Sequence, residues 1–397
     1  MIPALPEDLI EPIVQSIGRD IKALKACTLA SRSWYLSGRK LLHARLSYWW
    51  GRKHLDFYKK NPHLLNCVKT FVFCSEKHCL AWEYTDLEDV CFPNVTTLHI
   101  INAQFTEAPR LCTYFKQQFP AVKSLSLQQV KFSSNDRSTS FDSFIRSFPL
   151  LTMLTMHNVL EIPSEGGTPD WPIDTQIADA LTRLRHVELD TTCRSTMLTN
   201  VIKAHDPGTV PVTFINVDMR IDEYWLPISW ATVVQHLDHL ACVFGTTLRV
   251  LRMTQGHMVR ICEMDEHIPC LKDLRVLQRV ELVLESRSPP HWANTLLIAA
   301  DLRNLKAIDI TFAYPTLFLK KNEGKGNIHY TMACFLLDEF FVTKQKHLGE
   351  AFPQVSVTIP PSYRRLCDYT TFYDGVRTLL PRSVVGGFLR IMYPSHR

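Results

Sequence analysis

The sequence predicts an α/β protein: a short helical module, an array of short strands alternating with helices, and a helical cap. Three observations predict it. An apolar-x-x-apolar-x-apolar frame returns along the chain from residue 92 onward. Stretches of helical length with one apolar face separate the copies. The first 46 residues carry closely spaced apolar positions punctuated by Pro, Gly and Ser. The expected boundaries are residues 1–46 for the helical module, 47–91 for a linker and first atypical unit, 92–359 for the array and 360–397 for the cap.

The N-terminal module reads as three helices. Pro6 stands where a helix begins, because a first turn does not use the donor that proline lacks. Glu7 and Asp8 then place negative charge at the positive end of the helix dipole. Leu9, Ile13 and Ile17 recur every four residues on one face, and Gly18 is a stop. A second run, Ile21 to Leu29, places Ile21, Leu24 and Thr28 on one side with Cys27 beside them. Ser31 is an N-cap for a third helix carrying Trp34 and Tyr35. Helices this short cannot bury all their apolar residues among themselves, so part of that surface calls for an external partner.

These residues resemble an F-box, of the kind abundant in mushroom-forming fungi. The resemblance is carried by Leu5-Pro6-Glu7-Asp8-Leu9-Ile10, the spaced Ile13 and Ile17, and Leu24-x-x-Cys27-x-Leu29-Ala30-Ser31-Arg32-Ser33-Trp34. It implies docking on a Skp-type adaptor, and through it on a cullin scaffold, by way of Leu5, Pro6, Leu9, Ile10, Ile13, Leu24, Cys27 and Trp34. Pro12 departs from the pattern, since a proline there removes a backbone bond and kinks the first helix about one and a half turns in.

From Ser47 to Val90, Tyr48-Trp49-Trp50-Gly51-Arg52-Lys53 opens a stretch expected to continue helically to Asn61-Pro62, and Leu64 to Phe73 alternates towards a strand. The mixed aromatic and basic residues there read as packing of a linker against the array rather than as a nucleic-acid surface.

The array announces itself by repetition. Phe92-Pro93-Asn94-Val95-Thr96-Thr97-Leu98-His99-Ile100 is answered 27 residues on, at Phe119-Pro120, and 29 further, at Phe148-Pro149. Later copies keep the apolar frame without Phe-Pro, starting at Leu181, Leu248, Leu277 and Leu302. Val212 to Val217 supplies another strand, and Phe352-Pro353 restarts the theme. Helices are expected over 110–118, 141–148, 173–181, 195–205, 230–244, 291–300 and 330–347. The alternation resembles a leucine-rich-repeat horseshoe, which implies parallel strands on a concave side and helices on a convex side. The asparagine usual after such a strand is missing from most copies. A doubly wound sheet is the rival, but no G-x-G-x-x-G follows any strand and glycine is sparse at 14.

On the concave face the side chains beside the inward residues are Thr97, His99, Ser124, Ser126, Thr155, His157, His186, Glu188, Asn216, Arg252, Arg279, Glu281 and Asp309, with Asp190, Asp218, Thr254 and Thr311. They suit a polar protein partner more than a small apolar ligand.

Other chemistry is scarce. Cys67, Cys74, Cys79 and Cys91 with His63 and His78, and Cys262 and Cys270 with His257 and His267, lack paired C-x-x-C spacing, so no metal and no cofactor are expected. No G-x-S-x-G, H-E-x-x-H or Walker loop occurs, and no catalytic residue is assigned. Residues 165–169 and 320–327 read as exposed loops.

A content of 46% hydrophobic and 21% charged residues is that of a folded protein, and a net charge of +5 points to neither nucleic acid nor membrane. No run of eighteen apolar residues occurs, the start reads as an acidic helix rather than a signal peptide, and the 12 cysteines are scattered. A reducing cytoplasmic or nuclear setting is expected. The expected function is that of a non-catalytic substrate-recognition subunit of a Skp–cullin–F-box ubiquitin ligase. The alternative is a repeat scaffold that binds a partner without delivering it to a ligase.

Overall fold

The computed structural model describes residues 7–18, 20–49, 54–74, 90–105, 111–133, 141–162, 181–190, 210–219, 230–255, 269–284, 290–313, 328–363, 365 and 367–393. The chain forms two compact units, Met1–Arg183 and Leu184–Arg397. The helices expected at 173–181 and 195–205, and the loops at 165–169 and 320–327, lie outside the described residues or nearly so.

The first unit begins with α1 (Glu7–Ile17), α2 (Ile21–Ala30) and α3 (Arg32–Leu42). Helix α1 is continuous through Pro12. It stops at Gly18, whose φ of +65° is open to glycine at no steric cost. Asp20 caps α2 by accepting from the N–H groups of Lys22 and Ala23 at 2.9 and 3.1 Å. Ser31 accepts from Trp34 N at 3.5 Å, so the expected cap of α3 is present. Gly38 brings α2 and α3 together, for a Cβ there would lie 3.1 Å from Thr28 Cγ2 and 3.3 Å from Leu24 O.

Only His43 and Ala44 separate α3 from strand β1 (Arg45–Trp49). The sequence places the end of the helical module at residue 46 and a helical stretch after it; instead the array starts at Arg45. Helix α4 (His54–Lys60) and a 3-10 turn (Pro62–Cys67) then lead to β2 (Thr70–Cys74). Strands β3 (Thr97–Ile101), β5 (Ser124–Gln128) and β7 (Met153–His157) follow, and all five pair in parallel in the order β1-β2-β3-β5-β7. Short strands β4 (Gln104–Phe105), β6 (Lys131–Ser133) and β8 (Leu160–Ile162) form a second parallel ladder. Between the ladders Asn102, Gln129 and Asn158 take positive φ at equivalent positions of three successive copies. The asparagine sought after each strand is thus present in two of these three. Helices α5 (Leu111–Gln118) and α6 (Phe141–Arg146) return the chain.

The Phe-Pro motif has a local cause. Val95, Val122 and Leu151 donate their N–H to the carbonyls of Phe92, Phe119 and Phe148, closing a turn with proline at its second position. The prolines are exposed while the phenylalanines are buried. Phe71, Phe92, Phe105, Phe115, Phe119, Phe132, Phe141, Phe144 and Phe148 form one continuous aromatic cluster. Phe92 and Phe119 stack at 5.3 Å. Phe144 touches four others at 5.0 to 5.4 Å.

The second unit is built the same way. Strands β9 (His186–Asp190), β10 (Phe214–Asp218), β11 (Val250–Thr254), β12 (Arg279–Leu284), β13 (Ala307–Phe312), β14 (Gln354–Thr358) and β15 (Leu389–Ile391) pair in parallel in sequence order. The apolar turn persists without Phe-Pro, with Leu277 N donating to Leu274 O and Leu305 N to Leu302 O. The expected helices stand at Trp230–Phe244, His291–Ala299 and Ile328–Leu348. Val233, Leu237, Leu240, Ala241 and Phe244 are all buried. The closing segment is expected to be helical; it holds helices Tyr369–Leu379 and Pro381–Val385, but ends in β15, which joins the sheet.

Asp338, fully buried on the Ile328–Leu348 helix, holds that closing segment. Its carboxylate accepts from Arg382 N at 2.9 Å, Ser383 N at 2.8 Å and the Ser383 hydroxyl. It caps the Pro381–Val385 helix from another element. Two substitutions test these anchors. Phe144→Ala removes a phenyl ring at the centre of the aromatic cluster and should lower unfolding free energy by about 3–5 kcal/mol in urea denaturation. Asp338→Ala strands buried donors and should cost about 1–3 kcal/mol, with Asp338→Asn losing less.

Candidate functional site

Two surfaces carry the candidate residues: the outside of the helical module and the outward face of the strands. In the module, Ile10, Val14, Leu24 and Cys27 form a small buried core, with Ile17, Trp34, Leu41 and Leu42 packed on it. Leu9 and Ile13 point outward, 47% and 37% exposed. The apolar stripe of α1 is therefore divided, Ile10, Val14 and Ile17 facing in and Leu9 and Ile13 facing out. Of the residues expected to touch an adaptor, Leu9 and Ile13 are on the surface and Trp34 is partly so. Ile10, Leu24 and Cys27 are a correction: they hold the three helices together and are closed to contact. Leu5 and Pro6 lie outside the described residues. Four outward apolar residues are added, Ile21, Leu29, Tyr35 and Leu36, with Leu29 87% exposed. The i, i+4, i+8 spacing of Ile21, Lys25 and Leu29 is the signal that could have found two of them.

On the strand face of the first unit, Thr97 stands in register with Ser124, and His99 with Ser126 and then Thr155. His157 aligns with Gln128, further along the strands. All are half-buried. Burial holds the His99 imidazole below its ordinary pKa, and the Arg45 guanidinium adds to the effect. Arg45 on β1 is thus part of this face, which the sequence does not reveal.

In the second unit Glu188, Asn216, Arg252, Glu281, Asp309 and Ser356 lie side by side along one row. Asn216, buried at the sheet, donates to Glu188 Oε1 at 3.0 Å and accepts from Thr254 Oγ1 at 3.3 Å. Arg279, exposed, lies 3.8 Å from Glu281 and 3.5 Å from Asp309. The Ser356 hydroxyl donates to Asp309. Asp190 and Asp218, two residues further along β9 and β10, are buried and in register. His186 stacks on Phe214 with ring centroids 4.1 Å apart. Burial lowers its pKa, Glu188 opposes that, and Arg252 reinforces it. The row is a set of fixed donors and acceptors of both charges, suited to holding a polar partner.

Of the cysteines considered for metal, Cys74 is buried, Cys67 half-buried and Cys91 exposed, donating to Gln117 O at 3.5 Å. Cys270 donates to Asp273. Cys79, His78, Cys262, His257 and His267 lie outside the described residues. Among the described residues no group of three or more His, Cys, Asp or Glu is placed to hold a metal ion, and no helix is long and apolar enough to cross a membrane. No family model matches the chain, and no curated protein is similar to it in sequence.

Three imidazoles, His43, His99 and His186, sit below their ordinary pKa, burial being the first cause in each. A depressed imidazole takes up its proton more readily in the unfolded chain. Its contribution is therefore intact above about pH 6.5 and is lost as pH falls through that value towards the folded pKa. The urea midpoint should be lower at about pH 5.5 than at about pH 7.5, and the double variant His99→Gln, His186→Gln should flatten that difference.

Proposed function

We propose that this chain is the substrate-recognition subunit of a Skp–cullin–F-box ubiquitin ligase. The module α1–α3 binds the Skp-type adaptor, and the strand face of the array, read as a degenerate leucine-rich-repeat horseshoe, binds a protein substrate. The observation that carries the reading is the division of the module's apolar residues. Four close a small core, while Leu9, Ile13, Ile21, Leu29, Tyr35 and Leu36 stay on the surface. So much exposed apolar surface on three short helices is what a protein-docking element needs. The F-box-like order of residues from Leu9 to Trp34 supports the identity of the partner.

The subunit works by proximity rather than chemistry. It raises the local concentration of substrate lysines near the charged ubiquitin-conjugating enzyme. The direct passage from α3 through His43 and Ala44 into β1 supports this role, since it fixes the module on the first unit's sheet. Ala44 O accepts from both Lys69 N and Thr70 N, at 2.8 and 2.9 Å.

The test is a pull-down with a Skp-type adaptor. Leu9→Asp with Ile13→Asp should weaken binding about 30-fold or more, a loss of ~2 kcal/mol, while the melting temperature stays close to wild type because both side chains are already exposed. Unchanged adaptor binding by that variant, or none by the parent chain, would leave the scaffold reading in its place.

A further inference from the structure

We infer that the protein surface received by α2 and α3 is acidic, with carboxylates set between its apolar pockets. This rests on the reading of the module as an adaptor-docking element. Between Ile21 and Leu42 the chain carries Lys22, Lys25, Arg32, Arg39 and Lys40 and no aspartate or glutamate. The cations are interleaved with the exposed apolar residues instead of being kept apart from them. On α2, Lys25 stands four residues from both Ile21 and Leu29, so all three share one face. On α3 the order is inverted, with Leu36 four residues from both Arg32 and Lys40.

Lys22, Lys25, Arg32 and Lys40 are exposed, and none pairs with a carboxylate among the described residues. Arg39 differs: its guanidinium lies 5.1 Å over the Tyr35 ring and donates to the Tyr35 hydroxyl at 3.4 Å. Of the nearby acids, Asp20 is engaged as the α2 cap, and Glu7, Asp8 and Glu11 stand on α1 rather than on the two helices that carry the cations. A partner that seats Leu29 or Leu36 in an apolar pocket brings its own surface against these cations. A neutral surface would strip their water without compensation, whereas carboxylates at those points pair with them and speed encounter.

The experiment measures association and dissociation rates of the full chain with a recombinant Skp-type adaptor across roughly 25–500 mM salt, a range that carries the screening length from well above the pair spacing to near it. Lys22→Glu with Lys25→Glu, and Arg32→Glu with Lys40→Glu, should each slow association about tenfold or more at low salt. The difference should vanish at high salt, with dissociation little changed. Leu29→Asp should act oppositely, raising dissociation at every salt concentration. Salt-independent association with both charge-reversed variants silent would overturn the inference while leaving the docking reading intact. A parent chain that binds no adaptor at any salt would overturn both. Charge-dependent binding of duplex DNA or phosphatidylserine vesicles as tight as that of the adaptor would also overturn it, because the cations would then serve a different anion.

Discussion

One carbonyl per repeat sets the geometry of both units. Just ahead of eight of the strands a backbone C=O accepts two successive N–H groups from the next copy. Ala44 takes Lys69 and Thr70, Lys69 takes Thr96 and Thr97, Thr96 takes Lys123 and Ser124, and Lys123 takes Thr152 and Met153. In the second unit Arg185, Thr213, Arg249 and Gln278 do the same. The double acceptance pins the starts of β2, β3, β5, β7, β10, β11, β12 and β13 to their predecessors, while β14 is held there by Gln354 N alone, since Pro353 has no N–H to donate. A slip by one residue would turn each inward Leu, Ile or Val to solvent, so register and face are decided together. The polar rows on the outer face follow from this and need no further instruction.

The frame was legible in the sequence because its cause is local. Leu98 and Ile100, Leu125 and Leu127, and Leu154 and Met156 alternate at period two and are fully buried. The turn before each strand is written as Phe-Pro, where proline presets the backbone and phenylalanine enters the core. Strand β1 obeys the same frame but escapes notice, since Arg45-Leu46-Ser47-Tyr48-Trp49 follows a helix without any Phe-Pro turn. Strand β15 is only three residues long and follows Gly387, at φ +74°. The cap that Asp338 provides to Arg382 and Ser383 joins residues 44 and 45 positions apart, a distance no periodicity spans.

The site residues divide by the same criterion. Outward positions on strands could be counted off from the inward ones, and Thr97, His99, Glu188 and Asn216 stand in the rows that alternation assigns them. Helix α1 is different, for Leu9, Ile10, Ile13, Val14 and Ile17 are apolar on two adjoining faces. Spacing alone cannot say which of the two faces the module keeps. Packing against α2 and α3 decides it, and it keeps Ile10 and Val14.

That decision bears directly on what the module is for. A core of Ile10, Val14, Leu24 and Cys27 is too small to cover the apolar residues that three helices supply, and the remainder is not masked by exchange for polar residues. Leu29, almost wholly in solvent, contributes nothing to folding that alanine would not, and is a hazard for aggregation unless charge stands beside it. Lys25 stands there, and Arg32 and Lys40 flank Leu36 in the same manner. On the docking reading proposed above, the same cations set the sign of the charge a partner must carry to cover that apolar surface. Because Ala44, two residues after α3, enters the first strand pairing, a partner seated on α2 and α3 as proposed would be carried directly on the first unit. On that reading docking and positioning become one structural property, set by the two residues that separate α3 from β1.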